Sequence, residues 1–240
     1  MEKIKYLKIL PFENIKNARS LGGYPTCDGK ITSWESFIRS ANLDNLTEND
    51  MELLKDLNVS TVIDLRREEE TKYNSEKIDI IKNNFSYKKI SLLPAPMSQE
   101  YIQKILDGEI SIGRSYISLI DNFDAIKKIL EIMANSKGRV LYHCQEGKDR
   151  TGIITMILLL IANIPREIIM ADYEISSANL GYIDSFKPDE SESIFRITSP
   201  YNIKEAIDYI ISKYENIESY LEKVGIDFKT LKKLKEKMIE

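Results

Sequence analysis

The chain has 240 residues, 42% of them hydrophobic and 30% charged, with a net charge of −4, two cysteines and a single histidine. That is apolar material for a sizeable core, and no Pro-, Gly- or Ser-rich linker divides it. A single domain over residues 1–240 is expected, with a core of about 15–180 and a helical C-terminal extension of about 181–240. The negative balance argues against nucleic acid as a partner, two thiols make no disulfide scaffold, and a lone histidine without clustered cysteines argues against a metal site.

Residues 1–20 lack the apolar run of roughly 7–15 residues that a secretory signal needs. The expected compartment is the cytoplasm, with secretion as the alternative for a chain whose signal has been removed. Thr47 followed by Asp50 is an acidic variant of the capping box and opens a helix carrying Met51, Leu53, Leu54 and Leu57, for which Asn58 is a suitable end. Ser60 to Leu65 reads as a buried strand. Arg67 beside Glu68, Glu69 and Glu70 reads as a solvated, salt-bridged helix face. Phe85 to Leu93 alternates loosely and reads as another strand, ended by Pro94 and Pro96. Ser115 to Asn135 predicts one long amphipathic helix with Ile117, Ile120, Phe123, Ile126, Leu130 and Met133 inward.

After Gly138, residues Arg139 to Tyr142 form a short buried strand, and Thr151 to Ala162 is apolar almost all round, a buried helix too short to span a bilayer. Pro165 suits the first position of a helix reaching about Leu180, and Ala206 to Glu222 and Asp227 to Ile239 predict two more. Between them, Ile183 to Pro200, with Asp189, Glu190, Ser191, Glu192 and Ser193, reads as an exposed connection, a lid being the alternative. Lys229, Lys232, Lys233, Lys235 and Lys237 read as the solvated side of a terminal helix, with acidic lipid as the alternative contact, and no stable membrane anchor is expected. Strands alternating with helices define an α/β fold: a mostly parallel central sheet with helices on both faces and a helical C-terminal part.

The most informative run is His143 to Gly152, reading His-Cys-Gln-Glu-Gly-Lys-Asp-Arg-Thr-Gly. It joins the end of a strand to the start of a helix, where unpaired backbone N–H groups and the helix dipole favour an anion and lower a cysteine pKa. Cys144 is placed there to attack phosphorus and form a phosphocysteine. Arg150, a planar fork, is placed to clamp two equatorial oxygens. Gly147 lets the backbone turn its N–H groups inward, and Thr151 is expected to donate its hydroxyl proton to the Cys144 sulfur. The phosphate-cradling set is thus Gln145, Glu146, Gly147, Lys148, Arg150 and Thr151.

This run resembles the signature of the cysteine-dependent protein tyrosine phosphatase superfamily, His-Cys-x5-Arg followed by Ser or Thr. The Gly-Lys-Asp-Arg-Thr-Gly ending is similar to its bacterial tyrosine and lipid phosphatase branch. Arg19 to Tyr24 (Arg-Ser-Leu-Gly-Gly-Tyr), Asp64-Leu65-Arg66, and Arg39 in Phe-Ile-Arg-Ser-Ala fit the same branch, so the likeness covers roughly residues 15–180. The resemblance implies a tyrosine-phosphatase-like fold and a structural role for His143, which orients the loop.

A leaving alkoxide or phenolate needs a proton. Trp34, the only tryptophan, is followed by Glu35 and Ser36, so the mobile Trp-Pro-Asp acid loop of many animal tyrosine phosphatases is absent from the sequence. Asp149 is the first candidate for the general acid, as the resemblance implies; Asp64, at the end of a neighbouring strand, is the alternative. Lys148 either attracts a second phosphate or offsets Glu146 and Asp149. Of Arg19, Arg39, Arg66 and Arg67, one or two are expected to line the pocket. Cys27 is expected to be buried and free. The function expected is hydrolysis of phosphotyrosine in proteins or peptides by a monomer without a cofactor, extending to phosphoserine and phosphothreonine. Alternatives are a phosphoinositide phosphatase and an inactive phosphate-binding module.

Overall fold

The computed structural model describes residues 2–71, 75–93, 96–187 and 190–240; Pro94 and Asp189 lie outside the described residues. Among the described residues five strands, β1 (Arg19–Ser20), β2 (Phe37–Ser40), β3 (Val59–Asp64), β4 (Ser86–Lys89) and β5 (Arg139–His143), form one sheet in the order β1-β2-β5-β3-β4. Only the β1–β2 pair is antiparallel; the other neighbours run parallel, which places the C-terminal ends of β2, β3 and β5 side by side. β5 is central and buried along its whole length.

Alternation assigns the two faces. Phe37, Ile63, Val140 and Tyr142 join one core, while Ile38, Val62 and Leu141 join the other. The second face is covered by Met51 and Leu54 of helix α1 (Glu48–Asp56), Ile81 of α2 (Ser75–Asn84), and Leu10 and Ile15 from the N-terminal segment. The capping box is present: Thr47 Oγ1 accepts from the Asp50 N–H, and the Asp50 carboxylate accepts from the Thr47 N–H. Asn58 ends that helix with φ of 55°, a left-handed conformation asparagine tolerates.

The first face carries the larger core, and here the helix boundaries differ from the periodicity. After α3 (Gln99–Leu106) and the short α4 (Ile112–Ser115), the 115–135 stretch expected to be one helix is divided into α5 (Ile117–Ile120) and α6 (Phe123–Asn135). Asn122 breaks it by capping α6 through its side chain, which accepts from the Ala125 N–H. α7 (Asp149–Ile161) is buried on nearly all sides, as its apolar sequence requires. Pro165 is the cap of α8 (Arg166–Asn179) rather than its first residue. The predicted 206–222 helix is likewise two, α9 (Pro200–Tyr214) and α10 (Ile217–Val224), because Glu215 adopts φ of 70° and Asn216 caps the second. α11 (Phe228–Met238) follows. Ile203, Ile207 and Ile210 of α9, Tyr220 and Leu221 of α10, and Leu234 and Met238 of α11 join the same core as α6 and α7.

The 183–200 connection is not simply exposed: a 3₁₀ turn, Ser191–Phe195, lies within it, and Ser193 and Thr198 are buried. Cys27 is exposed, contrary to its sequence expectation, because it lies on the Pro25–Ile31 turn. Among the described residues no helix is long and apolar enough to cross a membrane.

Candidate active site

β5 delivers Cys144 to the rim of the sheet, where His143 stands level with Ser40 of β2 and Asp64 of β3. Cys144 is 3% exposed. The chain then loops into the N-terminus of α7, whose cap Lys148 supplies no side-chain capping bond, so the first-turn N–H groups stay open.

The loop's carbonyls are tied back by the surrounding protein. Gln145 O accepts from Asn42 through its backbone N–H (3.1 Å) and its Nδ2 (2.9 Å). Asn17 Nδ2 donates to Glu146 O and Gly147 O, both at 3.0 Å, and Arg39 Nη2 donates to Gly147 O at 2.7 Å. Since the C=O and N–H of one planar peptide point in opposite directions, pinning the carbonyls outward turns the following N–H groups inward. Among the described residues no protein acceptor takes a backbone N–H from Gln145 to Thr151. Gly147 is required for this shape: its φ is 68°, and a Cβ there would lie 2.2 Å from Ser40 O.

Behind the loop lies a buried ion cluster. Asp172 of α8 receives Arg19 Nε at 2.9 Å, Arg39 Nη1 at 2.5 Å and the Tyr24 hydroxyl at 2.7 Å. Burial disfavours the Asp172 charge, but Arg19 and Arg39 hold its carboxyl far below the ordinary range. Arg19 and Arg39 therefore do not line a pocket. They are buried on the far side of the loop because their guanidinium groups meet Asp172 and the loop carbonyls there. Arg66 is similarly buried, shared between Asp64 (3.0 Å), Asp44 (2.8 Å) and Gln145 Oε1 (3.3 Å).

At the front, both Nη atoms of Arg150 bind the two Glu70 oxygens at 2.7 Å. Glu70 is thus drawn out of the acidic run expected to face solvent, and Arg150 holds its carboxyl below the usual value against the opposing effect of burial. Glu70 occupies the end of the guanidinium fork; among the described residues the Nε–H of its side edge has no partner. Arg67 stays half-buried near Glu69 and Glu70.

Asp149 Oδ1 accepts from the Tyr116 hydroxyl at 2.5 Å, and its Oδ2 lies 3.2 Å from Lys148 Nζ. Lys148 is 5% exposed and also meets Glu146 (3.5 Å) and the Phe195 carbonyl. Burial opposes its charge, yet Asp149 and Glu146 raise its pKa. Asp64 is fully buried, accepting from Arg66 and from the Tyr87 hydroxyl at 2.9 Å. His143 Nδ1 lies 3.2 Å from Cys144 O, and burial lowers its pKa. The Thr151 hydroxyl is buried without a partner among the described residues, so the expected bond to the Cys144 sulfur is not formed.

A cavity of about 550 Å³ opens beside the loop, walled by Leu93, Met97, Ile102, Ile112, Leu119 and Phe195 and reaching Asp149 and Arg150. Sequence reasoning missed Asn17, Asn42, Glu70, Tyr116 and Asp172. Only Asp172 left a local trace, an acidic residue within the Ile169, Tyr173, Ser176 buried stripe of α8.

A family model described as "Tyrosine phosphatase family" matches residues 10–240, and the chain belongs to that family. A protein named tyrosine-protein phosphatase from Nostoc commune is 32% identical over 173 residues, covering 70% of this chain and 56% of that one, so the chain spans little more than half the length of this relative. Among solved structures, P. aeruginosa TpbA in complex with pTyr aligns with a TM-score of 0.43 at 11% identity, over 80% of this chain and 87% of that one. The catalytic core of the S. cerevisiae PP-IP phosphatase SIW14 with citrate aligns at 0.43 and 17%, over 78% and 93%.

Proposed function

We propose that this chain, acting as one phosphatase unit, hydrolyses phosphate monoesters, foremost phosphotyrosine in proteins or peptides, through a phosphocysteine on Cys144. The observation that carries this reading is the loop itself, with N–H groups from Gln145 to Thr151 unpaired among the described residues and carbonyls held outward around a buried cysteine, opposite the side edge of Arg150. Such a cradle matches the three equatorial oxygens of a phosphoryl group. Cys144 forms the S–P bond as the ester P–O bond breaks, and Asp149 gives its proton to the leaving oxygen. Water then attacks phosphorus, returns a proton to Asp149, and releases the thiolate. Asp64 suits a different role, because Arg66 and Tyr87 occupy its oxygens; it fixes Arg66, which in turn fixes Gln145.

Family membership and the relative's name support the tyrosine reading. Lys148 supports it too: its buried ammonium is held by Glu146 and the Phe195 carbonyl rather than presented to a second phosphate, and the neighbouring walls are apolar enough for an aromatic ring. The second reading, a phosphoinositide phosphatase, draws on Arg196, a further cation lining the cavity. Phosphate release from a phosphotyrosine peptide and from a phosphoinositide series, by the parent and by Cys144→Ser, tests both. Release that vanishes with serine is expected, with the peptide turned over faster. Faster lipid turnover would choose the second reading, and release from neither would leave a phosphate-binding module.

A further inference from the structure

Asp149 does not stand alone. Its Oδ1 accepts from the Tyr116 hydroxyl at 2.5 Å, and the Tyr116 hydroxyl meets that of Tyr173, with the two rings edge to face at 6.2 Å. Tyr116 lies between α4 and α5, 3% exposed, and Tyr173 comes from α8, 2% exposed. Burial, and then the charge of Asp149, push both phenols above their ordinary range, so both remain protonated and available as donors. The Tyr173 ring can approach because residue 152 is glycine: a Cβ there would lie 3.1 Å from Tyr173 Cδ2.

Resting on the reading of Asp149 as general acid, we infer that Tyr116 is a positioning residue for proton delivery, its hydroxyl pinning Oδ1 so that Oδ2 carries the transferable proton. Tyr173 supports it from behind. As the P–O bond breaks, the proton passes from Oδ2 to the leaving oxygen. The carboxylate left behind already has a donor at Oδ1, and Lys148 Nζ 3.2 Å from Oδ2. Both donors stabilise the charge that forms during transfer, without reorganisation. Asp172 and Tyr173, adjacent on α8, thereby serve the two halves of the site: Asp172 shapes the phosphate cradle through Arg39, and Tyr173 steadies the acid through Tyr116.

The test is a series of aryl phosphates whose leaving phenols range from dinitrophenol to unsubstituted phenol, assayed with the parent, Asp149→Asn, Tyr116→Phe and Tyr173→Phe. A misplaced acid matters most for a basic leaving group, whereas a general structural defect slows every ester alike. The phenyl-to-dinitrophenyl ratio of kcat/KM, which reads the P–O cleavage step alone, is expected to fall most in Asp149→Asn, by roughly 100-fold or more. In Tyr116→Phe it should fall roughly tenfold, and in Tyr173→Phe by less. A steep loss in Asp149→Asn with an unchanged ratio in Tyr116→Phe would overturn the inference and leave the reading of Asp149 intact. An unchanged ratio in Asp149→Asn would overturn that reading itself. Should Tyr116→Phe fail to fold, the ratio in Tyr173→Phe decides: a fall supports the relay, and no change overturns it.

Discussion

Arg39 and Arg150 both stand at the loop between β5 and α7, from opposite sides and with opposite consequences. Arg39, fully buried, spends its Nη groups on Asp172 and on the carbonyls of Gly147 and Lys148, so it shapes the loop; its Nε is buried without a partner among the described residues, and burial seals the whole side chain from a ligand. Arg150 is held by Glu70 across one edge and keeps the other. The residue type is identical; what separates the scaffold from the proposed clamp is which side of the loop the guanidinium occupies and that Arg150, unlike Arg39, keeps part of its side chain exposed.

Removing the carboxylate behind the loop gives the largest expected effect on this contrast. Asp172→Ala leaves Arg19 and Arg39 buried without a counter-charge and should destabilise the fold by about 3–5 kcal/mol in urea unfolding. A loss under about 1 kcal/mol would show that water replaces the carboxylate and that the rear cluster is not scaffold. Arg150→Lys removes the fork and keeps the charge. Phosphate release should slow roughly 100- to 1,000-fold with a near-parental unfolding midpoint, and a comparable loss of stability instead would erase the distinction between front and rear. Glu70→Gln weakens the hold on Arg150, and kcat/KM should drop roughly tenfold; no change would mean that α7 alone orients the guanidinium.

The smallest effect is a pH dependence of stability. Burial works against the Asp64 charge, but His143 and the hydrogen bonds and charge of Arg66 hold its pKa at about 2 in the fold, below the unfolded value of 3.8. A depressed carboxylate contributes stability that is present above the unfolded pKa and is lost as pH falls through the folded one. The stability difference between the parent and Asp64→Asn should therefore shrink between pH 5 and pH 2. A difference independent of pH would rule out this linkage.

Much of the site was legible because its signals are local. The signature from His143 to Gly152 is contiguous, Gly147 sits where a positive φ is needed, and the apolar runs of β5 and α7 place the loop at a strand end and a helix start. The Thr47 and Asp50 box was legible for the same reason. The helix from 115 to 135 was misread because Asn122 interrupts it through a side-chain cap that leaves the hydrophobic period nearly intact. Glu215 divides the 206–222 helix by a left-handed backbone turn that no glycine announces. Glu70 and Tyr116 could not be read at all, since their partners in the loop lie 80 and 33 residues away in sequence. An acidic run or a lone tyrosine carries no periodicity that points so far.

The claim on which everything else rests is that Cys144 becomes covalently phosphorylated. Rapid acid quenching of the parent during turnover of a phosphotyrosine peptide, followed by peptide mass spectrometry, reads this directly. The account predicts a single phosphoryl group on the peptide carrying Cys144, absent in Cys144→Ser. Steady phosphate release with no adduct on Cys144, or release that persists in Cys144→Ser, would contradict it.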